Sequence, residues 1–329
     1  LRKLISIDQI FNKQYYIKSN WIYLLIPLGA VFYLINILRT YLYDKGFLKK
    51  YKIKVPVIIV GNITLGGTGK TPLALNLITK FINKGLQPAL ISRGYGGNKK
   101  NITEVLETTN VRIVGDEALL IKTKSKIPVF VGKDRVSAAK KLLNKYPETS
   151  IIISDDGLQH LKLARDYEII VIDSKRKFGN GFLFPAGPLR ENKTRLGKVD
   201  AIVIKGENNN PKFYQMKYIT KCLKNLKTGK KIKFKDLQNK NVVAITAIGN
   251  PESFFSTLID NGLEFKKIIF NDHYLFKKSD FVKYEDCNIV MTEKDAIKCK
   301  QFATKNFWII PLETEVDENL FLNILKKVA

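Results

Sequence analysis

Three segments follow one another between Val55 and Gly85, and their succession constrains the fold more than anything else in the chain. Val55-Pro-Val-Ile-Ile-Val60 reads as a short buried strand, and GNITLGGTGKT then runs from Gly61 to Thr71. The next stretch, PLALNLITKFINKG, places apolar side chains at 73, 74, 77, 78, 81 and 82 and stops at Gly85, the pattern of an amphipathic helix with a glycine terminator. A glycine-rich turn can join strand to helix in any α/β protein. With GKT at the helix start, however, it is a phosphate-binding loop. The backbone amides of Gly66, Gly67, Thr68, Gly69, Lys70 and Thr71 are expected to point at phosphate oxygens, where the helix N-terminus is partially positive. Lys70 should reach the outer phosphates of a nucleoside triphosphate, and the Thr71 hydroxyl should ligate Mg²⁺. The generic loop pattern asks for glycine at position 64, and Thr64 stands there.

A second half-site is needed, and one appears downstream. Ile151-Ile-Ile-Ser154 reads as a buried strand ending in Asp155-Asp156, followed by Gly157-Leu-Gln159-His160. A carboxylate at the end of a strand beside a phosphate loop is where such proteins hold Mg²⁺. Alone, an Asp-Asp-Gly sequence is an ordinary turn. Further strands are expected at 88–92, 111–114, 128–131, 168–172 and 200–204, alternating with helices such as 116–124 and 134–145. That order predicts a parallel sheet of the P-loop type with helices on both faces. The polar segment GENNNPK after Lys205 marks a boundary. Apolar runs at 242–246, 266–270, 288–291 and 307–310 then indicate a smaller C-terminal α/β domain. The expected division is therefore 1–50, 51–204 and 205–329, with the last part closing over the site.

The first part is a membrane candidate. Ser19 to Leu38 is a run of 20 uncharged residues, about what a helix needs to cross a hydrocarbon core. Trp21, Tyr23, Tyr41 and Tyr43 stand where interfacial aromatics belong. Pro27 and Asn36 argue against simple spanning. So do basic residues on both flanks: Arg2, Lys3, Lys13 and Lys18 before, and Arg39, Lys45, Lys49, Lys50, Lys52 and Lys54 after. Both flanks on one side suits a helix dipping into one leaflet. A buried core helix is the alternative, disfavoured because the aromatics gather toward the ends.

Composition narrows the partners. In 329 residues there are 56 Lys+Arg and 30 Asp+Glu, a net charge of +26, with the excess concentrated before residue 205. Such a field attracts nucleic acid, anionic membrane or phosphorylated substrates, and a lysine-rich solvated surface gives the same count. Nucleic acid is disfavoured, because no zinc-finger spacing or RNA-binding aromatic pattern is present. Three cysteines without a CxxC spacing and two histidines, His160 and His273, leave no disulfide framework or thiolate zinc site.

Other polar residues fall where loops should be. Asp116-Glu117 follows VRIV and opens a helix; Asp272-His273 follows KKIIF. A carboxylate, or an imidazole bonded to one, is a suitable base for a hydroxyl attacking a γ-phosphate. By position alone Asp116 reads as a helix cap and His273 as a surface loop residue. Arg93, Arg135 and Arg190-Glu191 are candidates for clamping phosphate.

Taken in order, GNITLGGTGKTP, SRGYGG, GDEA, DDGLQH, FPAGPLRE, DHY and MTEKDA resemble the tetraacyldisaccharide 4'-kinases of lipid A biosynthesis, over about residues 50–300. An N-terminal membrane segment is also a feature of that family, and Thr64 suits its loop. The resemblance implies a kinase that uses ATP and Mg²⁺ to phosphorylate the 4'-hydroxyl of an acylated disaccharide 1-phosphate. It implies Lys70 and Thr71 at the phosphates and Mg²⁺, and Glu117, Asp155 and Asp156 as metal or active-site carboxylates. Asp116 and His273, with Asp272 beside them, would form the base. Arg93, Tyr95, Arg135, Gln159, His160, Arg190 and Glu191 would hold the lipid headgroup or complete the site. Such a substrate leaves a bilayer at about 0.8 kcal/mol per buried CH₂, so the enzyme must come to it. An anionic inner leaflet and cytoplasmic ATP place it at the bacterial inner membrane facing the cytoplasm. No obligate protein partner is called for. The rival is a membrane-attached P-loop ATPase without a lipid acceptor; such proteins carry lysine before the paired glycines, where Leu65 stands here.

Overall fold

The computed structural model describes residue 15 and residues 20–97 and 101–328. Arg2, Lys3, Lys13 and Lys18 lie outside the described residues, as does the side chain of Trp21. A 3₁₀ turn, Asn20–Leu25, leads into α1 (Ile26–Asp44), and the Ile22–Asp44 segment is long and apolar enough to cross a bilayer, with a mean hydropathy of 1.8. Little of it is buried. Gly29 sits against the Leu183 carbonyl, Phe32 meets the Phe184 ring edge-on, and Arg39 donates to the Gln159 carbonyl. The opposite side exposes Leu24, Leu28, Val31, Leu34, Ile35 and Leu38. Their three- and four-residue spacing makes one continuous apolar stripe along the helix.

The main sheet has nine strands, and its centre is built as the sequence predicts. β1 (Val57–Gly61), β2 (Pro88–Ser92), β4 (Val129–Val131), β5 (Ile151–Asp155), β6 (Tyr167–Asp173), β7 (Ala201–Lys205) and β8 (Tyr214–Ile219) run parallel, with β3 (Thr103–Glu104) antiparallel at one edge. Strands β1, β2, β5 and β6 are buried along their whole length, which is why they read as unbroken apolar runs. α2 (Lys70–Asn83) follows β1. The strand order β6-β1-β5-β2 places β1 between two strands reached by crossovers. The crevice at the carboxyl ends of such neighbours is where an open α/β sheet binds ligand.

Two expectations change. VRIV at 111–114 is not a strand but a short helix, α3 (Val111–Val114), capped by the Asn110 side chain accepting from the Arg112 amide at 3.0 Å. Gly115, at φ +82°, then turns the chain directly into α4 (Asp116–Ser125). The cap and this turn leave no room for strand pairing, so local chemistry overrides β-propensity. α5 (Arg135–Lys145) lies as expected.

The 204/205 boundary also does not coincide with the edge of the main sheet. β8 adds to it beyond that point, and its half-exposed, mixed-polarity sequence explains why it is hard to read. The second sheet holds β9 (Leu223–Asn225), β10 (Lys231–Ile232), β11 (Val242–Thr246), β12 (Lys266–Ile269), β13 (Asn288–Thr292) and β14 (Phe307–Ile310), ordered β10-β9-β14-β13-β11-β12. It packs α6 (Pro251–Asp260) and α7 (Glu293–Cys299). The chain then returns. β15 (Glu313–Val316) pairs antiparallel with β8, and α8 (Glu318–Val328) sends Leu320, Phe321 and Ile324 into the core that holds Leu77 and Phe81. Phe81 and Phe321 lie 5.1 Å apart by ring centroids.

Candidate active site

The glycine loop bridges β1 and α2 with Gly66 at φ +97° and Gly69 at φ +101°. Gly69 is the N-cap, and no side chain caps α2, so its first amides are open to an anion. Behind the loop, Thr68 Oγ1, Asn62 Oδ1, Ser154 Oγ and Asp155 Oδ1 are buried without a hydrogen-bond partner. A cluster of unmatched polar atoms around one loop is the signature of a ligand site.

The two carboxylates after β5 are used differently. Asp155 is fully buried and accepts from Thr71 Oγ1 at 3.4 Å. Burial, with the Glu117 carboxylate facing it, pushes its carboxyl up to about 7 despite the Lys70 ammonium. Asp156, at φ +50°, takes Arg190 Nη1 on both oxygens at 3.0 and 3.1 Å and Lys70 Nζ at 3.4 Å. Burial opposes its ionisation, but Lys70 and Arg190 hold it well below the usual carboxylate range. Asp156 is thus occupied by two cations, and Asp155 is the carboxylate that lacks one.

The second lobe supplies the other half. α7 packs on α4, and His273 reaches across so that its Nδ1 lies 3.0 Å from both oxygens of Asp116. Neither residue plays the bland part its position suggests. The Asp116 side chain caps nothing and is 3 % exposed. His273 is half-buried at φ +59°, and its amide donates to the Ala247 carbonyl at 3.1 Å. Burial would raise the Asp116 carboxyl, but Lys294, the His273 hydrogen bond and Lys298 hold it at about 2. Burial would lower the His273 imidazole, and Asp116 raises it. Asp272 stands 3.8 Å from His273 Nε2, and the Tyr95 ring centroid is 5.1 Å from the imidazole.

The remaining predicted residues divide. Arg190 joins the phosphate loop through Asp156, and Gln159 ties the Asn62 carbonyl (3.1 Å) to Glu191 Oε1 (2.7 Å). Gln159 and Glu191 therefore brace the loop against the Arg190 segment. Glu117 faces Asp155 and is paired to Lys294 Nζ at 3.1 Å. Arg135 is buried and turned into its own loop, donating to the Gly132 and Lys133 carbonyls at 3.0 and 3.2 Å. Burial and the Arg135 charge bring the His160 imidazole down to about 4, so it is neutral near pH 7. Arg93 follows β2 and is exposed.

Three groups carry no role in the sequence reading. Lys294 and Lys298 approach Asp116 to 3.7 and 3.8 Å; the MTEKDA segment is the signal that could have found Lys294. Arg176 donates to the Gly249 carbonyl at 3.1 Å and lies against Gly66. Nothing in the Lys-rich run SKRK marks it. A β-carbon on Gly249 would stand 2.8 Å from Asp272 Oδ2 and 4.0 Å from the Gly67 amide nitrogen, so this turn of the second lobe lies over the phosphate loop.

The chain is 41% identical over 325 residues to the tetraacyldisaccharide 4'-kinase of Methylobacillus flagellatus, covering 98% of this chain and 97% of that one. It is 43% identical over 324 residues to that of Psychromonas ingrahamii, covering 95% and 98%. The crystal structure of LpxK from Aquifex aeolicus in complex with ATP superposes with a TM-score of 0.81 at 30% identity, over 94% of this chain and all of that one. The sequence profile of the LpxK family, tetraacyldisaccharide-1-P 4'-kinase, matches residues 21–329, and the chain belongs to that family.

Proposed function

We infer that the chain is an ATP-dependent tetraacyldisaccharide 4'-kinase, transferring the γ-phosphate of ATP to the 4'-hydroxyl of the acylated disaccharide 1-phosphate in lipid A biosynthesis. The observation that carries this reading is the meeting of two half-sites in one cleft. One lobe brings an uncapped helix N-terminus with Lys70 and Arg190, and the other brings His273 onto Asp116.

In this reading the Gly66–Thr71 amides hold the triphosphate, and Lys70 and Arg190, both aligned by Asp156, neutralise charge on the transferred group. Asp116 is anionic and accepts the Nδ1 proton of His273. This leaves Nε2 as the nitrogen that takes the proton from the 4'-hydroxyl as it attacks. The positive φ of His273 and its Ala247 contact fix the ring before substrate arrives. Tyr95 bounds the place where the sugar would lie.

Mg²⁺ fits the residues present. Thr71 Oγ1 and Asp155 would hold it, with Glu117 facing them, because Asp155 combines an unpartnered buried oxygen with a carboxyl pushed up for want of positive charge. When bound, the ion supplies charge neutralisation on phosphate oxygens. Among the described residues no three His, Cys, Asp or Glu side chains gather as a metal cage, which suits an ion that takes most of its oxygens from phosphate and water.

The apolar stripe of α1 supports attachment to the inner membrane, with the catalytic lobes on the cytoplasmic side beside the lipid. Arg39, by holding the Gln159 carbonyl, couples that helix to the phosphate-loop brace. The test is phosphotransfer in detergent micelles with Mg·ATP and tetraacyldisaccharide 1-phosphate, read by mass spectrometry of the lipid. Wild type should add one phosphate, and Lys70→Ala and Asp116→Ala should not. ATP hydrolysis with unchanged lipid would instead indicate an ATPase.

A further inference from the structure

The Asp116–His273 pair accounts for one face of the Asp116 carboxylate. Two lysines of α7 with no part in the reaction as described, Lys294 and Lys298, also approach that carboxylate, at 3.7 and 3.8 Å. Lys298 is 1 % exposed and lies between two buried carboxylates, 3.8 Å from Asp116 Oδ2 and 2.9 Å from Asp295 Oδ1. Its ammonium also lies 5.2 Å from the centroid of the Phe276 ring. An ammonium so far from water is costly unless its geometry is used.

Asp295 is the anchor. It is wholly buried, and its Oδ2 accepts from Thr246 Oγ1 and Thr292 Oγ1, both at 2.8 Å, and from the Ala247 amide at 3.2 Å. The carbonyl of that same Ala247 receives the His273 amide. The contacts therefore close a ring: Asp116 to His273, His273 to Ala247, Ala247 to Asp295, Asp295 to Lys298, and Lys298 back to Asp116. Only Asp116 in this ring belongs to the first lobe. Lys298 is the side chain that spans Asp116 and Asp295, and so it bears on where the carboxylate and the imidazole meet.

We propose that Lys298 is a positioning residue for phosphoryl transfer, which docks Asp116 of the first lobe onto the Asp295-anchored frame that carries His273. Its side chain is enclosed and meets the site through Asp116, so the proposal rests on the reading of Asp116 and His273 as the base. Misplacing a base by about 1 Å costs on the order of 100-fold in rate. Phosphate binding, which belongs to the other side of the cleft, is untouched.

The test is a double-mutant cycle on lipid phosphorylation with Lys298→Met, His273→Ala and the pair of substitutions. Lys298→Met alone should lower kcat by about 10- to 100-fold, with KM for ATP within about threefold of wild type. In the His273→Ala background the same substitution should cost less than about threefold, because the frame then has nothing to position. Equal losses in both backgrounds, or a wild-type kcat for Lys298→Met, would overturn the proposal. A wild-type kcat for His273→Ala would overturn the base reading and this proposal with it. Should Lys298→Met not fold, Asp295→Asn replaces it, keeping Lys298 but removing its buried counter-charge, with the same non-additivity expected.

Discussion

Asp155 and Asp156 are consecutive residues at the end of β5 whose carboxyls are driven in opposite directions. Burial and Glu117 push Asp155 up to about 7, and Lys70 and Arg190 pull Asp156 far down against its burial. A carboxyl whose folded value lies above its unfolded value of about 4 binds protons more readily in the native state. It weakens the fold as pH rises from about 4 through 7. Asp155→Asn should therefore raise the melting temperature at pH 7.5 and flatten its dependence between pH 5 and 7.5, while abolishing phosphoryl transfer. Each kcal/mol recovered corresponds to roughly 2–4 °C. Differential scanning fluorimetry across pH checks this, and an unchanged or lower melting temperature would refute it.

Asp116 and His273 make a pH prediction. His273 must be neutral to accept a proton, and Asp116 raises its pKa. Activity should therefore fall on the acid side at a pH above the ordinary histidine value of about 6.5. Asp116→Asn removes the charge that holds the imidazolium, so its residual activity should show that limb displaced to lower pH. The plateau should drop by about 10²- to 10⁴-fold. A kcat/KM profile with the limb unmoved would assign it to another group.

Gly115 is fixed twice. Its φ is +82°, and a β-carbon there would stand 2.2 Å from the Tyr95 carbonyl oxygen. Gly115→Ala should destabilise the fold by about 1–3 kcal/mol from backbone conformation alone, with displacement of Tyr95 added. Urea titration measures the loss. Because Asp116 is the next residue, catalytic loss should exceed what the unfolded fraction explains.

The stripe on α1 predicts a membrane defect separable from catalysis. Leu28 and Ile35 are both exposed on it, and burying a leucine or isoleucine side chain is worth about 1.5–3 kcal/mol. Leu28→Glu with Ile35→Glu should lower partitioning onto anionic vesicles by more than about 100-fold, measured by co-sedimentation. ATP affinity should stay near wild type.

The phosphate loop, the strand ends carrying Asp155 and Arg93, and the apolar helix were legible because each is a local pattern of period and punctuation. The contacts of Arg135, Gln159 and Glu191 are not legible, because an arginine turned into its own loop carbonyls has the same sequence as one turned outward. VRIV reads as a strand because its four residues carry β-branched bias, whereas Asn110 and Gly115, which decide for the helix α3, lie just outside them. The Asp116–His273 pairing could be read only through family resemblance: it spans two lobes and 157 positions, a distance that no periodicity encodes. Lys298 was invisible for a plainer reason. One lysine among so many looks like surface, and only its enclosure by Asp116, Asp295 and Phe276 distinguishes it.

The return of β15 and α8 to the main sheet sets an order of events during synthesis. Asn76 on α2 donates to the Thr314 carbonyl 238 positions later, at 2.7 Å, and Phe321 fills the core beside Phe81. The nucleotide lobe therefore cannot seal its core until the chain as far as α8 has left the ribosome. The apolar α1 emerges well before that, so the chain can reach the bilayer as an unfinished lobe. The core behind the phosphate loop then closes only when α8 has packed beside α2.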